Sequence, residues 1–217
     1  TTQNRRGTKI SFYPDKAIFP DSENFKPKKL LTMARSKAYL FSGVEIRWKC
    51  DQSCLLGLDT TPLNAIFHFP GGLSDYLKET LTKSITYASR SFSGKVNFSE
   101  KFNKKIPGYV EWAINWSPQK DGFLDSFCNS VPTPDGGTHE AGFWSAITKG
   151  IKAFGELIGN KKSSQITRED VMFGGCAILS LFIREPEFVG QTKDRLATSE
   201  ATRLVEAAVR DYFDHWL

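Results

Sequence analysis

A chain of 217 residues, 40% apolar and 24% charged, is long enough for one large domain or two modest ones and has the balance of an ordinary globular fold. No run of about 18 apolar residues occurs, which excludes a membrane-spanning helix. The net charge of +5 is compatible with a nucleic-acid partner without requiring one. The opening Thr1-Thr2-Gln3-Asn4-Arg5-Arg6 has no initiator Met and no apolar core, so it is no signal peptide; it reads as a cut into a longer protein. Cys50, Cys54, Cys128 and Cys176 are scattered. Cys50 and Cys54 have no second pair at zinc-finger spacing, so free thiols and a reducing cytoplasm are expected.

In chain order, Thr8 to Phe12 alternates and stops at Pro14-Asp15, which predicts a strand with Ile10 and Phe12 on one face. Leu30, Leu31, Ala34, Ala38 and Phe41 recur at helical spacing after Pro27, with Gly43 as the stop. Val44 to Trp48 and Ala65 to Phe69 read as short strands around a polar loop. Pro70-Gly71-Gly72 is the best domain boundary. Leu73, Tyr76, Leu77 and Leu81 then predict a short helix.

Ser89 to Phe98 reads as a strand, followed by a basic turn carrying Lys101, Lys104 and Lys105. Tyr109 to Trp116 alternates cleanly, with Val110, Trp112, Ile114 and Trp116 on one face. Gln119-Lys120-Asp121-Gly122 predicts a hairpin turn into a partner strand, Phe123 to Val131. Asp135-Gly136-Gly137-Thr138 leads into a long helix, with Thr138 or a neighbour as its cap and Phe143, Ile147, Ile151, Phe154 and Ile158 as its apolar stripe. His139 has no nucleophile or carboxylate partner in view and reads as structural. Thr167-Arg168-Glu169-Asp170 has the spacing of a capping box. Cys176 to Ile183 is apolar on both faces and predicts a central strand. Ser199 to Leu217 carries a wide apolar stripe on a final helix. The pattern is α+β: a four-stranded sheet with helices on one face.

One loop carries chemistry. Gly190-Gln191-Thr192-Lys193 places an amide, a hydroxyl and an ammonium at one exposed tip between a buried strand and a helix. An ammonium is a compact point charge suited to a terminal phosphate. The Gly136-Gly137 pair lacks the spacing of a P-loop. On residue chemistry alone, a lysine that merely solvates a turn is the favoured reading of the loop.

Pro186-x-Phe188-x-Gly190-Gln191-Thr192-Lys193-x-x-Leu196, preceded by Asp135-Gly136-Gly137-Thr138-His139-x-x-Gly142-Phe143, resembles the B subunits of bacterial type IIA DNA topoisomerases. The likeness runs over nearly the whole chain. Phe67-His68-Phe69-Pro70-Gly71-Gly72-Leu73 and Asn129-Ser130-Val131-Pro132-Thr133 lean toward the topoisomerase IV branch over gyrase. The resemblance implies the closing strands of a Bergerat-type (GHKL) ATPase domain in residues 1–69. It implies a transducer domain in residues 70–217, built as a split β-α-β sandwich of the ribosomal small-subunit protein type.

It further implies that Lys193 and Gln191 reach the γ-phosphate of ATP, that Thr192 shares the site, and that the Thr8 hydroxyl holds adenine. ATP and Mg2+ would be the cofactors, with the general base and the metal ligands outside this chain, so the fragment alone would be inactive. The implied activity is passage of one DNA duplex through another in the cytoplasm, at the bacterial nucleoid, with a topoisomerase IV A subunit and a second B subunit that closes an ATP-dependent gate. Family members have Gly-Phe-Arg where this chain has Gly142-Phe143-Trp144, so that arginine's DNA role is not carried over. Lys149 and Lys152 remain as weak, sequence-independent contacts to double-stranded DNA. A basic RNA-binding sandwich without ATPase activity, using the lysines between Lys95 and Lys105, is the alternative from another class.

Overall fold

The computed structural model describes residues 7–15, 17–19, 25–55, 57, 59–102 and 106–217. The first helix, α1 (Pro27–Leu40), starts on a proline whose missing N–H is no loss in a first turn. β1 (Glu45–Lys49) and β2 (Asn64–His68) form a separate antiparallel ribbon. Gly72 then opens α2 (Leu73–Leu81) with φ +60, a backbone state that favours glycine.

The main sheet contains β3 (Phe92–Asn97), β4 (Gly108–Trp116), β5 (Phe123–Cys128), β6 (Val131–Pro132) and β7 (Gly175–Ile183), in the order β3-β4-β7-β5-β6. A short helix, α3 (Phe98–Lys101), follows β3. The long helix α4 (Thr138–Leu157) and the short α5 (Arg168–Met172) connect β5 and β6 to β7, which runs parallel to β5. Beyond β7 come a two-stranded ribbon, β8 (Phe188–Val189) and β9 (Arg195–Leu196), and the last helix, α6 (Glu200–Trp216).

β7 is the central strand, as its two apolar faces require. The expected hairpin between β4 and β5 is absent: β7 lies between them, antiparallel to β4 and parallel to β5. The tight reversal instead comes at Asn129-Ser130, both at positive φ, between β5 and β6. The sheet therefore has five strands rather than four.

Its two faces are both covered, another departure from expectation. On one, Val110, Trp112, Ile114, Leu179 and Leu181 pack with Phe143, Trp144 and Ile147 of α4 and Val205, Val209 and Phe213 of α6. On the other, Ala113, Phe127, Cys176 and Ile178 pack under Tyr39 of α1 and Leu73 and Leu77 of α2. Tyr39 and Tyr76 stack at 4.0 Å between ring centres and tie α1 to α2. That second face is small-residue rather than charged at Ala113 and Cys176, and this lets a second helical layer approach.

Thr8 to Phe12 is not a strand. Its residues are exposed and carry no regular secondary structure, and nothing in the described chain offers them a ladder of backbone partners. Ile10 and Phe12 are accordingly 81% and 68% exposed. The stripe on α4 is also shifted: Trp144 is buried and Ile158, beyond the helix end, is exposed. The capping box of α5 is present, with Thr167 and Asp170 satisfying each other's backbone N–H. All four cysteines are free thiols.

α4 and α6 touch closely at Gly142, where a Cβ would lie 2.3 Å from the Thr202 carbonyl oxygen. At the start of α4 no side chain caps the helix. A buried polar relay sits there instead. His139 is fully buried, with Nε2 3.1 Å from Thr133 Oγ1. Thr133 Oγ1 is 2.6 Å from Ser126 Oγ, which donates to the Thr133 carbonyl at 3.2 Å. Each hydroxyl donates once if His139 Nε2–H donates to Thr133, which leaves Nδ1 as a buried acceptor with no partner among the described residues. Burial pushes the His139 imidazole down from 6.5 to about 4.

Two outcomes follow from this packing. Gly142→Ala, which adds helix propensity of about 1 kcal/mol on an open helix surface, here destabilises the fold by roughly 1–3 kcal/mol because α4 and α6 must part; denaturant unfolding measures the sign. The unfolded chain binds a proton at His139 near pH 6.5, whereas the folded protein refuses it until about pH 4. Stability therefore falls as pH drops through that window, by on the order of 3 kcal/mol from this group. In His139→Gln that share of the pH dependence disappears from unfolding curves measured between the two values.

Candidate functional site

The Gln-Thr-Lys loop is the tip of the β8–β9 hairpin, whose register pairs Phe188 with Leu196 and Val189 with Arg195. The tip turns on Gly190 at φ +73 and on Lys193 at φ +61. A lysine in the left-handed region is held against its own preference. Gln191, Thr192 and Lys193 are all exposed. The Lys193 ammonium lies 5.8 Å from the centre of the Phe188 ring and has no carboxylate partner among the described residues. An amide, a hydroxyl and an uncompensated cation thus stand together in solvent, the donor set an anionic oxygen needs.

The base of the hairpin is fixed where the tip is free. Leu196 is 1% exposed and belongs to the main core. Its N–H donates to the Gly136 carbonyl at 3.0 Å, and the Asp135 N–H donates to the Asp194 carbonyl at 3.0 Å. Gly137 and Leu196 form a parallel bridge. A Cβ at residue 137 would lie 2.4 Å from the Leu196 carbonyl oxygen and 2.7 Å from its nitrogen, and the φ of +141 also favours glycine. Behind β9, Ala197 N–H donates to the Glu187 carbonyl, and Glu187 N–H to Thr198 Oγ1. The Asp135-Gly136-Gly137 motif and the Gln191-Thr192-Lys193 motif are therefore one unit, bonded backbone to backbone.

The mount is itself anchored. Thr133 N–H donates to the Ser126 carbonyl at 2.9 Å, and Gly136 N–H to the Thr133 carbonyl at 2.8 Å, so the turn hangs on β5. The Ser126–Thr133–His139 relay ties the same turn to the first residues of α4. The Glu140 carboxylate folds back over Gly136, within 2.5 Å of where a Cβ would stand. Burial raises the Glu140 pKa, against the pull of Ser126, Arg168 and Arg195. The glycine pair is visible in the sequence; its partner strand, some sixty residues later, is not.

The other sequence-predicted site residues are not brought to this hairpin. Thr8 is exposed, outside any helix or strand, and makes no hydrogen bond among the described residues. Lys149 on α4 is committed to an ion pair with Glu206 of α6. Lys152 is half-buried and has no ion pair among the described residues. Of the basic edge, Lys95 pairs with Glu111 at 3.2 Å and Lys101 with Asp211 at 2.6 Å. Lys104 and Lys105 lie outside the described residues. No helix among the described residues is long and apolar enough to cross a membrane.

Residues 72–217 match the family model described as DNA gyrase B. Over 98% of its length the chain is 50% identical to the B subunit of DNA topoisomerase 4 from Caulobacter vibrioides, and it is 44% identical to that of Rickettsia felis. It spans about 30% of the length of the Caulobacter relative. The fold superposes on the topoisomerase IV ATP-binding domain of Francisella tularensis, solved with a small-molecule inhibitor, at a TM-score of 0.70 and 28% identity, covering 95% of this chain and 52% of that one. The Myxococcus xanthus gyrase B protein shares the fold at a TM-score of 0.76 and 20% identity, covering 98% of this chain and 65% of that one. With two thirds of its residues matched by that family model, the chain belongs to the DNA gyrase B family.

Proposed function

We propose that this chain is part of the ATP-driven B subunit of a topoisomerase IV, an isomerase that passes one DNA duplex through another. Residues 1–69 are then the end of its GHKL ATPase domain and residues 70–217 its transducer domain. The observation that carries the reading is the solvent-exposed, uncompensated Lys193 at a tip whose base is hydrogen-bonded to the Asp135–Gly136 turn. The 50% identity to the topoisomerase 4 protein of Caulobacter vibrioides supports it.

In this reading the Lys193 ammonium neutralises charge that builds on the terminal phosphate of ATP during hydrolysis. The Gln191 amide holds the same phosphate or the attacking water, and the Thr192 hydroxyl completes the donor set. Thr8 contacts adenine from the first domain. ATP supplies the bond that is broken, and Mg2+ its charge compensation, with the metal held by residues outside 1–217. When the terminal phosphate leaves, the tip loses its partner, and the rigid base passes that loss to the helical layer. A second B subunit, a topoisomerase IV A subunit and double-stranded DNA are the partners, and the bacterial nucleoid is the location. Lys152 is the better of the two weak DNA contacts, because Lys149 is already paired. The ion pairs of Lys95 and Lys101 weigh against the RNA-binding alternative, since they engage the two described lysines of the edge it would use.

In the full-length B subunit assembled with its A subunit, Lys193→Ala lowers ATP turnover by about 10²–10³-fold, the range for removing one preorganised charge stabiliser, while the melting temperature is retained. Wild-type turnover in that variant contradicts the assignment. The same assembly unlinks catenated circles and introduces no negative supercoils; ATP-dependent supercoiling would place the chain in gyrase instead.

A further inference from the structure

We propose that Gly137, together with the Thr133–His139 pair beneath it, positions Lys193, and that the position of this mount sets how effectively that lysine serves the hydrolytic step. The inference rests on the functional reading above and adds residues that make no contact with nucleotide.

The tip spans Gly190 to Asp194 and has no side-chain hydrogen bond of its own among the described residues. Its location is therefore dictated at its base. There, the Leu196 N–H reaches the Gly136 carbonyl and the Asp194 carbonyl receives the Asp135 N–H, each at 3.0 Å. Asp194 directly follows Lys193, so the second of these bonds fixes the residue beside the ammonium. Gly137 makes the approach possible, because any side chain there would strike the Leu196 backbone. The turn in its own right is held by Thr133, whose backbone bonds β5 and whose hydroxyl meets His139 at 3.1 Å. His139 belongs to the first turn of α4, so a displacement of α4 carries the turn, and with it β9 and Lys193.

A reacting charge misplaced by about 1 Å loses on the order of 10²-fold in rate. Gly137→Ala moves β9 by that scale. In the full-length B subunit with its A subunit, Gly137→Ala lowers kcat for ATP roughly 10- to 100-fold and leaves KM within about threefold. Lys193→Ala and the double variant Gly137→Ala/Lys193→Ala then turn over at the same low rate, because the glycine acts only through the lysine. Thr133→Val, which keeps the shape and removes the hydroxyl, lowers kcat in the same sense by about three- to tenfold, and Thr133→Ser restores it.

A Gly137→Ala enzyme with wild-type kcat overturns the proposal. So does a double variant slower than Lys193→Ala alone, which would mark Gly137 as structural. If Gly137→Ala does not fold by circular dichroism, the Thr133 pair decides: equal kcat in Val and Ser variants overturns it. Wild-type turnover in Lys193→Ala would instead sink the functional reading beneath it, and the two failures are told apart by that single variant.

Discussion

The structure depends on one close backbone approach, between the Gly136-Gly137 turn and Leu196 of β9. Leu196 is anchored in the core by its side chain and bonded to the turn by its N–H. Below that contact lie the buried core and the hydrogen-bonded turn; above it Gln191, Thr192 and Lys193 are polar and exposed. Such a division suits the role proposed for Lys193. Rigidity at the base limits where the charge can be, and exposure at the tip leaves it available.

The two helical layers give this contact its mechanical setting. α4 begins at the turn and packs along α6, with Gly142 against the Thr202 backbone and Thr202 Oγ1 donating to the Thr138 carbonyl at 2.9 Å. On the opposite face, α1 and α2 share a core with the sheet through Tyr39, Leu73 and Leu77. Lys37 of α1 also donates to the Ser130 carbonyl at 2.6 Å, which links the first part of the chain to the β5–β6 turn. Contacts thus run from the first part of the chain through the sheet to the turn that follows β6, on which the hairpin of Lys193 is mounted.

Much of this was legible in the sequence because it is local. The apolar run Cys176 to Ile183 could only be a doubly buried strand, and the stripe from Ala201 to Phe213 could only be a packed helix. The capping box at Thr167 and the glycine start at Gly72 are short-range signals of the same kind. What failed was non-local. Gln119 to Gly122 has hairpin chemistry, yet β4 and β5 accept β7 between them, a pairing that no window of neighbouring residues encodes. The second covered face left little trace because Ala113 and Cys176 are small rather than strongly apolar. The stretch from Thr8 to Phe12 alternates like a strand but has no ladder to join among the described residues. The loop at Gln191 to Lys193 was identifiable by its motif, whereas the turn that carries it was visible only as a pair of glycines. Their reason, a β-strand passing within contact of the backbone, lies in the fold.

Amide hydrogen exchange along residues 133–197 tests the mounted-hairpin geometry most directly. If the hairpin is held as described, the Leu196 and Asp135 amides exchange as slowly as those of β7, while Gln191 and Thr192 exchange at rates near those of open chain. Leu196 and Asp135 amides that exchange as fast as the tip would mean that the base is as loose as the loop, and that no fixed mount for Lys193 exists.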